Sequence, residues 1–448
     1  MKILEYTLGL PPYRRGGLPE YSTDLSKELA RNNDVTLMYP GSRAGIRSTT
    51  LKFHRQKSNK YNFKIIEMQN PLPVSLGLGI SKPAIFMKKY SKQNIKDFLI
   101  KENFDIIHLH TIMGLPKEFV EIAHQLKIKI VYTTHDFYGF CPKYLSTNAV
   151  KELEITSCSP DCMICPNGPS SIKMLIMQSH FYKNIKNTSF IKRLRKYSKK
   201  KIRESNIVNA NKRISEKQAI QKLKLLNYYA EILNKVDLFH FNSTVSRDYV
   251  KQFLPQINGK VVNISLASIK DERNKKSENL GKSTLNISYI GPYDTKKGFF
   301  VFESVAKRLR SQYKNFKILC CGDNVNYDFF NNSWVTNYSI LQKKEMDKFY
   351  QKSDIIVMPS LWHETFGFVA LEAISKGIPC LVSKKVGAKD LLPFNFVFND
   401  ENDLFIKLKM ILKDNDLWLK YKKEVDSSRL PINFKEHVDE LFCEIYLK

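Results

Sequence analysis

Residues 353–383 read SDIIVMPSLWHETFGFVALEAISKGIPCLVS. The stretch opens on a short apolar run, SDIIVMPS (353–360), turns helical from about Phe366, and closes on a second apolar run, IPCLVS (378–383). A strand, a helix and a strand in close succession predict two parallel strands joined by a crossover helix. The same grammar extends outward in both directions. LNISYIG (285–291), KGFFVFESVAKRLRSQY (297–313) and FKILCCG (316–322) give strand, helix and strand. KILEYTLG (2–9), EYSTDLSKELARN (20–32) and DVTLMYP (34–40) repeat it, as do DIIHLHT (105–111), PKEFVEIAHQL (116–126) and KIKIVYTTHD (127–136). Between the halves, KDERNKKSENLGKS (270–283) is charged and has no periodicity, as a linker would be. At 448 residues the chain exceeds one ordinary core. The expectation is an α/β protein of two Rossmann-like domains facing across a cleft.

Composition excludes several classes. Hydrophobic residues at 43% and charged ones at 26% are globular proportions. No run approaches the roughly 18 apolar residues of a spanning helix, and MKILEYTLGLPPYRRGG (1–17) lacks the apolar core of a signal peptide. A cytoplasmic protein is expected. The net charge is +28, and residues 171–225 carry sixteen Lys and Arg against two acids, half of that excess. The densest part, FIKRLRKYSKKKIR (190–203), reads either as a solvated helical face or as a contact for an anionic surface. Without aromatic interleaving or a recognition motif, nucleic acid is disfavoured, and an anionic membrane surface is the expected partner.

Glu364 and Glu372 raise the question of an acid/base pair. Eight residues of helix separate two carboxylates by roughly 12 Å, whereas glycosidase carboxylates stand about 5–9.5 Å apart. A hydrolytic pair is therefore not expected. The turn ETFG (364–367) instead places backbone N–H groups at a helix N-terminus, where a diphosphate binds well. A glutamate on either side would accept hydroxyl hydrogen bonds.

With these features in order, residues 353–383 resemble the E-x7-E signature of glycosyltransferase family 4, retaining enzymes of GT-B fold. RRGGLPEYSTDLSKELARNNDVTLM (14–38), TTHDF (133–137) and YIGPYDTKKG (289–298) resemble that family's first glycine loop, cleft histidine segment and Lys-Gly turn. The resemblance implies that Glu364 grips the transferred sugar and Glu372 the ribose. It also implies that Lys297 and the amides of Thr365, Phe366 and Gly367 hold the diphosphate. His135 would approach the donor sugar, Gly16 and Gly17 would pass close to donor phosphates or acceptor, and no metal would be needed for catalysis. Pro292 stands where the family often has Arg, leaving Lys296, Arg14 or Arg15 to supply that charge. ISLAS (264–268) replaces the usual Pro-Asn-Gly turn.

Four of the eight cysteines, Cys141, Cys158, Cys162 and Cys165, follow C-x16-C-x3-C-x2-C. Four thiolates so spaced suit a structural zinc or an iron–sulfur cluster, and four unligated thiols are the alternative. Cys320, Cys321 and Cys380 read as buried small hydrophobes.

The expected domains are 1–268, carrying the cysteine cluster (141–165) and the basic insertion (171–225), a linker over 269–283, 284–430 binding the nucleotide-sugar, and a helix over 431–448 packing back on the first. The expected activity moves a sugar from a nucleotide-sugar to a saccharide acceptor, lipid-linked on polyprenyl diphosphate, in surface polysaccharide assembly on the inner face of the plasma membrane. A nucleotide-sugar 2-epimerase and a non-catalytic GT-B partner subunit are the competing readings.

Overall fold

The computed structural model describes residues 1–14, 16–43, 48–75, 80, 82–140, 215–273, 284–428, 430–431 and 433–448, with scattered positions between 176 and 194. Arg15, all four clustered cysteines and most of the basic stretch 190–203 lie outside these residues.

The chain divides into two compact units. The first comprises Met1–Phe241, Tyr249–Lys260 and Val438–Lys448; the second comprises Asn242–Asp248 and Val261–His437. This division differs from the expected 1–268 and 284–430. Asn242–Asp248 belongs to the second unit, because the Thr244 amide donates to Asp390 Oδ2 (2.6 Å) and the Ser243 hydroxyl donates to the Thr365 carbonyl.

The first sheet contains β1 (Lys2–Tyr6), β2 (Asp34–Pro40), β3 (Lys52–Gln56), β4 (Lys64–Gln69), β5 (Ile106–Leu109), β6 (Lys129–Thr133), β7 (Leu238–Phe241) and β8 (Gly259–Val261). Their order is β3-β4-β2-β1-β5-β6-β7-β8. Pairing is parallel from β4 through β7, as the apolar runs imply, with β3 antiparallel to β4 at the edge. β3 was not legible in the sequence: KFHRQ is polar and mostly exposed, as an antiparallel edge can be.

The second sheet contains β9 (Leu285–Ile290), β10 (Phe316–Cys321), β11 (Val335–Asn337), β12 (Ile355–Met358), β13 (Cys380–Ser383) and β14 (Val397–Phe398). They run β11-β10-β9-β12-β13-β14, every neighbour parallel. The stretch 353–383 forms β12, the helix Phe368–Ser375 and β13, and that helix buries Ala370, Leu371, Ala373 and Ile374. A helix apolar on nearly every face belongs in a covered layer. Cys320, Cys321 and Cys380 are buried in β10 and β13, and burial pushes the Cys321 thiol up to about 12.

In each sheet one pair of adjacent strands has connections that diverge in opposite directions. These pairs are β1/β5 and β9/β12. Such switch points leave room at the carboxyl ends of the strands, where ligands of open α/β sheets bind.

Candidate functional site

In the second unit the predicted residues gather at the carboxyl ends of β9 and β12. The turn after β9 is pinned to the end of β12 through one carbonyl: Lys296 C=O accepts the amides of Leu361 and Trp362, each at 3.0 Å. Gly298 makes this approach possible. It adopts φ +72, and a Cβ there would fall 1.7 Å from the Pro359 carbonyl oxygen. The Lys296 ammonium lies 5.2 Å from the centre of the Trp362 ring, a cation–π contact. The Lys297 ammonium pairs with Glu364 Oε1, and the Ser360 hydroxyl lies 3.2 Å from the same oxygen.

Glu364 is fixed through its backbone. Its amide donates to Lys385 C=O (2.9 Å), and its carbonyl accepts from the Gly387 amide (3.0 Å). Phe366 is buried, and its carbonyl accepts from the Ala388 amide. Gly367, at φ +101, precedes the first turn of the helix Phe368–Ser375. That helix begins two residues later than expected and carries Glu372 in its second turn. Sequence reasoning missed the partner of Glu372: Tyr350, on the helix Lys343–Lys352, donates to Glu372 Oε2 at 2.6 Å. Lys297, Glu364, Phe366 and Gly367 therefore form one loop cluster, with Glu372 held behind it.

In the first unit, Gly16 follows β1 and Gly17 opens the helix Gly17–Leu29. Gly16 has φ 128 and ψ 169, a conformation open essentially to glycine alone, and a Cβ there would meet nothing within 4 Å among the described residues. The same helix sets Tyr21 against His135, ring centres 4.9 Å apart. His135 follows β6, and its amide donates to Thr133 C=O (2.9 Å). Burial and the neighbouring His110, His240 and His108 hold the His135 imidazole well below its usual pKa, so it is neutral at physiological pH. Burial pushes the next residue, Asp136, up to about 6.

His135 also leads to a polar network that the sequence did not disclose. Glu5, His108 and His110 are fully buried. His110 Nδ1 is 3.0 Å from His135 Nε2, and His110 Nε2 is 2.6 Å from Glu5 Oε2. The Tyr446 hydroxyl, in the final turn Phe442–Tyr446, donates to Glu5 Oε1 at 2.8 Å. The available signal was the alternation in DIIHLHT, which puts His108 and His110 on one strand face. Glu5, His108 and His110 have the chemistry of a metal-ligand set. Their spacing argues against one: two nitrogen or oxygen ligands of a tetrahedral zinc stand about 3.3 Å apart, whereas 2.6 Å is a direct charge-assisted hydrogen bond.

Comparison with known proteins matches both halves of the chain to glycosyltransferase models. A model of Glycosyl transferases group 1 matches residues 270–423, which contain Lys297, Glu364 and Glu372. A model of Glycosyltransferase Family 4 matches residues 15–168, which contain Gly16, Gly17 and His135. Each half of the chain thus carries a glycosyltransferase family domain, and the fold is GT-B. Over 125 residues it is 31% identical to an uncharacterized 41.2 kDa protein in the cps region of Klebsiella pneumoniae, covering 27% of this chain and 34% of that one. Over 82 residues it is 38% identical to a sulfoquinovosyl transferase of Arabidopsis thaliana, covering 16% of each. These alignments span about a third or less of those relatives.

Among solved structures, Anabaena HepE in complex with UDP superposes with a TM-score of 0.58 at 13% identity, covering 100% of both chains. A glycosyltransferase from Rickettsia africae superposes at 0.54 and 14% identity, covering 99% of this chain and 97% of that one.

Proposed function

We propose that the protein is a retaining, metal-independent glycosyltransferase that moves a sugar from a nucleotide-sugar to a saccharide acceptor, carried on a polyprenyl diphosphate, in surface polysaccharide assembly. The observation that carries the reading is the cluster of Lys297, Glu364 and the helix N-terminus at Gly367. It unites a cation, a carboxylate and oriented amides where a sugar diphosphate would need them. Lys297 and the amides of Thr365, Phe366 and Gly367 would stabilise the diphosphate as it leaves, which is where negative charge develops. Glu364 would then accept hydroxyl hydrogens of the transferred sugar. Glu372, held by Tyr350, would do the same for the ribose. Gly16 and Gly17 would lie near the donor phosphates or the acceptor, and His135 near the donor sugar. Complexes of HepE with UDP and with UDP-glucose support a uridine nucleotide as the first donor to test. The cps-region relatives support a polysaccharide pathway.

No helix among the described residues is long and apolar enough to cross a membrane. Attachment to the inner leaflet would rest on the basic stretch 190–203, and Cys141, Cys158, Cys162 and Cys165 would bind a structural zinc. The deciding experiment compares wild type with Glu364→Ala. Release of UDP from UDP-glucose, and thermal stabilisation by UDP, are measured for both. Ligand at a hundred times its Kd stabilises by about 2.7 kcal/mol. Wild type should be stabilised and active, and the variant should lose turnover by about 100-fold or more. Equal activity in the two would refute the site.

A further inference from the structure

The buried network behind His135 has a definite hydrogen direction. It spans four adjacent strands of the first sheet: Glu5 on β1 pairs in register with His108 on β5, and Thr133 on β6 with His240 on β7. An ionised carboxylate only accepts hydrogen bonds, so every hydrogen adjoining Glu5 must point towards it. On one side the Tyr446 hydroxyl donates to Glu5 Oε1 (2.8 Å) and therefore accepts from His108 Nδ1–H (2.6 Å). That same nitrogen lies 3.3 Å from Glu5 Oε2. His108 Nε2 and His240 Nδ1 meet at the Thr133 hydroxyl, at 2.6 and 2.8 Å.

On the other side His110 gives its Nε2 hydrogen to Glu5 Oε2 (2.6 Å). A neutral His110 then has only a lone pair at Nδ1. His135 Nε2, 3.0 Å away, must supply the hydrogen for that contact. The proton of His135 is thereby fixed on Nε2, and Nδ1 becomes an acceptor.

We propose that Glu5 is a positioning residue that sets the tautomer of His135 through His110, so that His135 meets the donor sugar as a hydrogen-bond acceptor for a hydroxyl and not as a donor. The hydroxyl contact rests on the donor-sugar reading of His135; the tautomer does not. Burial supports the assignment of charge: it holds the His110 imidazole down at about 4, and the two adjoining imidazoles hold the Glu5 carboxyl down at about 2 against its desolvation. Glu5 also ties the final turn of the chain to this relay through Tyr446. The widened turn there, with the Leu447 amide on Phe442 C=O (3.1 Å), brings the tyrosine to the carboxylate.

The test reads the tautomer directly in the full chain. Histidine-selective 15N labelling and long-range proton–nitrogen correlation distinguish Nε2–H from Nδ1–H, with His135→Gln identifying the His135 signals. Wild type should show His135 as Nε2–H with a preference of about tenfold or more, the scale of one hydrogen bond to a charge. In Glu5→Gln the amide must donate on one side. The run through His110 can then reverse, and His135 should become a mixture of both tautomers. Tyr446→Phe leaves the His110 arm intact and should keep the wild-type pattern.

Nδ1–H in wild type, an unchanged His135 in Glu5→Gln, or an equal change in Tyr446→Phe would each overturn the proposal. If Glu5→Gln does not fold, the wild-type tautomer alone decides. UDP release from UDP-glucose separates the two ideas. Full activity in His135→Gln, with the tautomer result intact, would remove the donor-sugar role and leave the relay standing.

Discussion

Replacing Gly298 by alanine tests whether the Lys296–Gly298 turn is what delivers Lys297 to Glu364. Gly298 sits at φ +72, in the left-handed region, where a residue with a Cβ costs about 1–2 kcal/mol. The larger effect is steric. The added carbon would lie 1.7 Å from the Pro359 carbonyl oxygen and 2.5 Å from its carbon, both backbone atoms that no rotamer change can move. The turn must therefore withdraw from the end of β12. That strains or breaks the two amide hydrogen bonds to Lys296 C=O, each worth about 1 kcal/mol net.

Gly16→Ala is the matched control. It also violates a glycine-only conformation, at about 1–3 kcal/mol, but among the described residues its Cβ would meet nothing within 4 Å. Urea unfolding should place Gly298→Ala about 3–5 kcal/mol below wild type and Gly16→Ala nearer to it. At temperatures where Gly298→Ala is folded, UDP should stabilise it far less than wild type. A cost below about 1 kcal/mol for Gly298→Ala, or UDP stabilisation equal to wild type, would refute the reasoning.

Two further outcomes follow from other contacts. Tyr350→Phe removes the hydroxyl that holds Glu372 while keeping the buried ring. UDP binding should weaken by about tenfold, and unfolding stability should fall by about 1–3 kcal/mol, the cost of one hydrogen bond to a charge; unaltered affinity by calorimetry would argue against Glu372 as a ribose contact. Stability should also fall as pH drops from 6.5 towards 4. His110, His363 and His437 are each held down at about 4 by burial. Between those values the unfolded chain binds more protons than the folded one, so stability rises with pH and is fully present above 6.5. For fully buried His437 the contribution is about 3 kcal/mol. Asp136, pushed up to about 6, opposes this between its unfolded value and pH 6. Urea midpoints across that window should be less pH-sensitive in His437→Gln than in wild type, and an identical slope would contradict the assignment.

The parts of this protein that could be read from the chain are those whose signal is local. Residues 353–383 carry strand, turn, helix and strand in one continuous pattern, and the structure puts each element within two or three residues of the expected place. Lys297 and Glu364 were legible because each closes a strand-to-helix turn with its own glycine. What escaped was non-local. Strand β3 has no apolar alternation: it lies at an exposed edge, paired with β4, and turns a single ring, Phe53, onto Phe98. The Glu5 network joins residues 5, 110, 135 and 446, and its tyrosine comes from the last turn of the chain.

Sheet order explains why both clusters lie where they do. Consecutive strands in sequence do not reveal that β1 separates β2 from β5, or that β9 separates β10 from β12. At those two places the connecting segments leave in opposite directions, so the carboxyl ends of the strands are not covered by a crossover. A buried carboxylate is expensive unless its hydrogen bonds are complete. Glu5 meets that condition because β5, at the switch point, brings His108 and His110 alongside it while Tyr446 donates from the final turn; His135, after β6, is next in line. The same topological opening in the second unit receives Lys297 and Glu364. A motif search finds the second cluster and passes over the first, because only the second is written in contiguous residues.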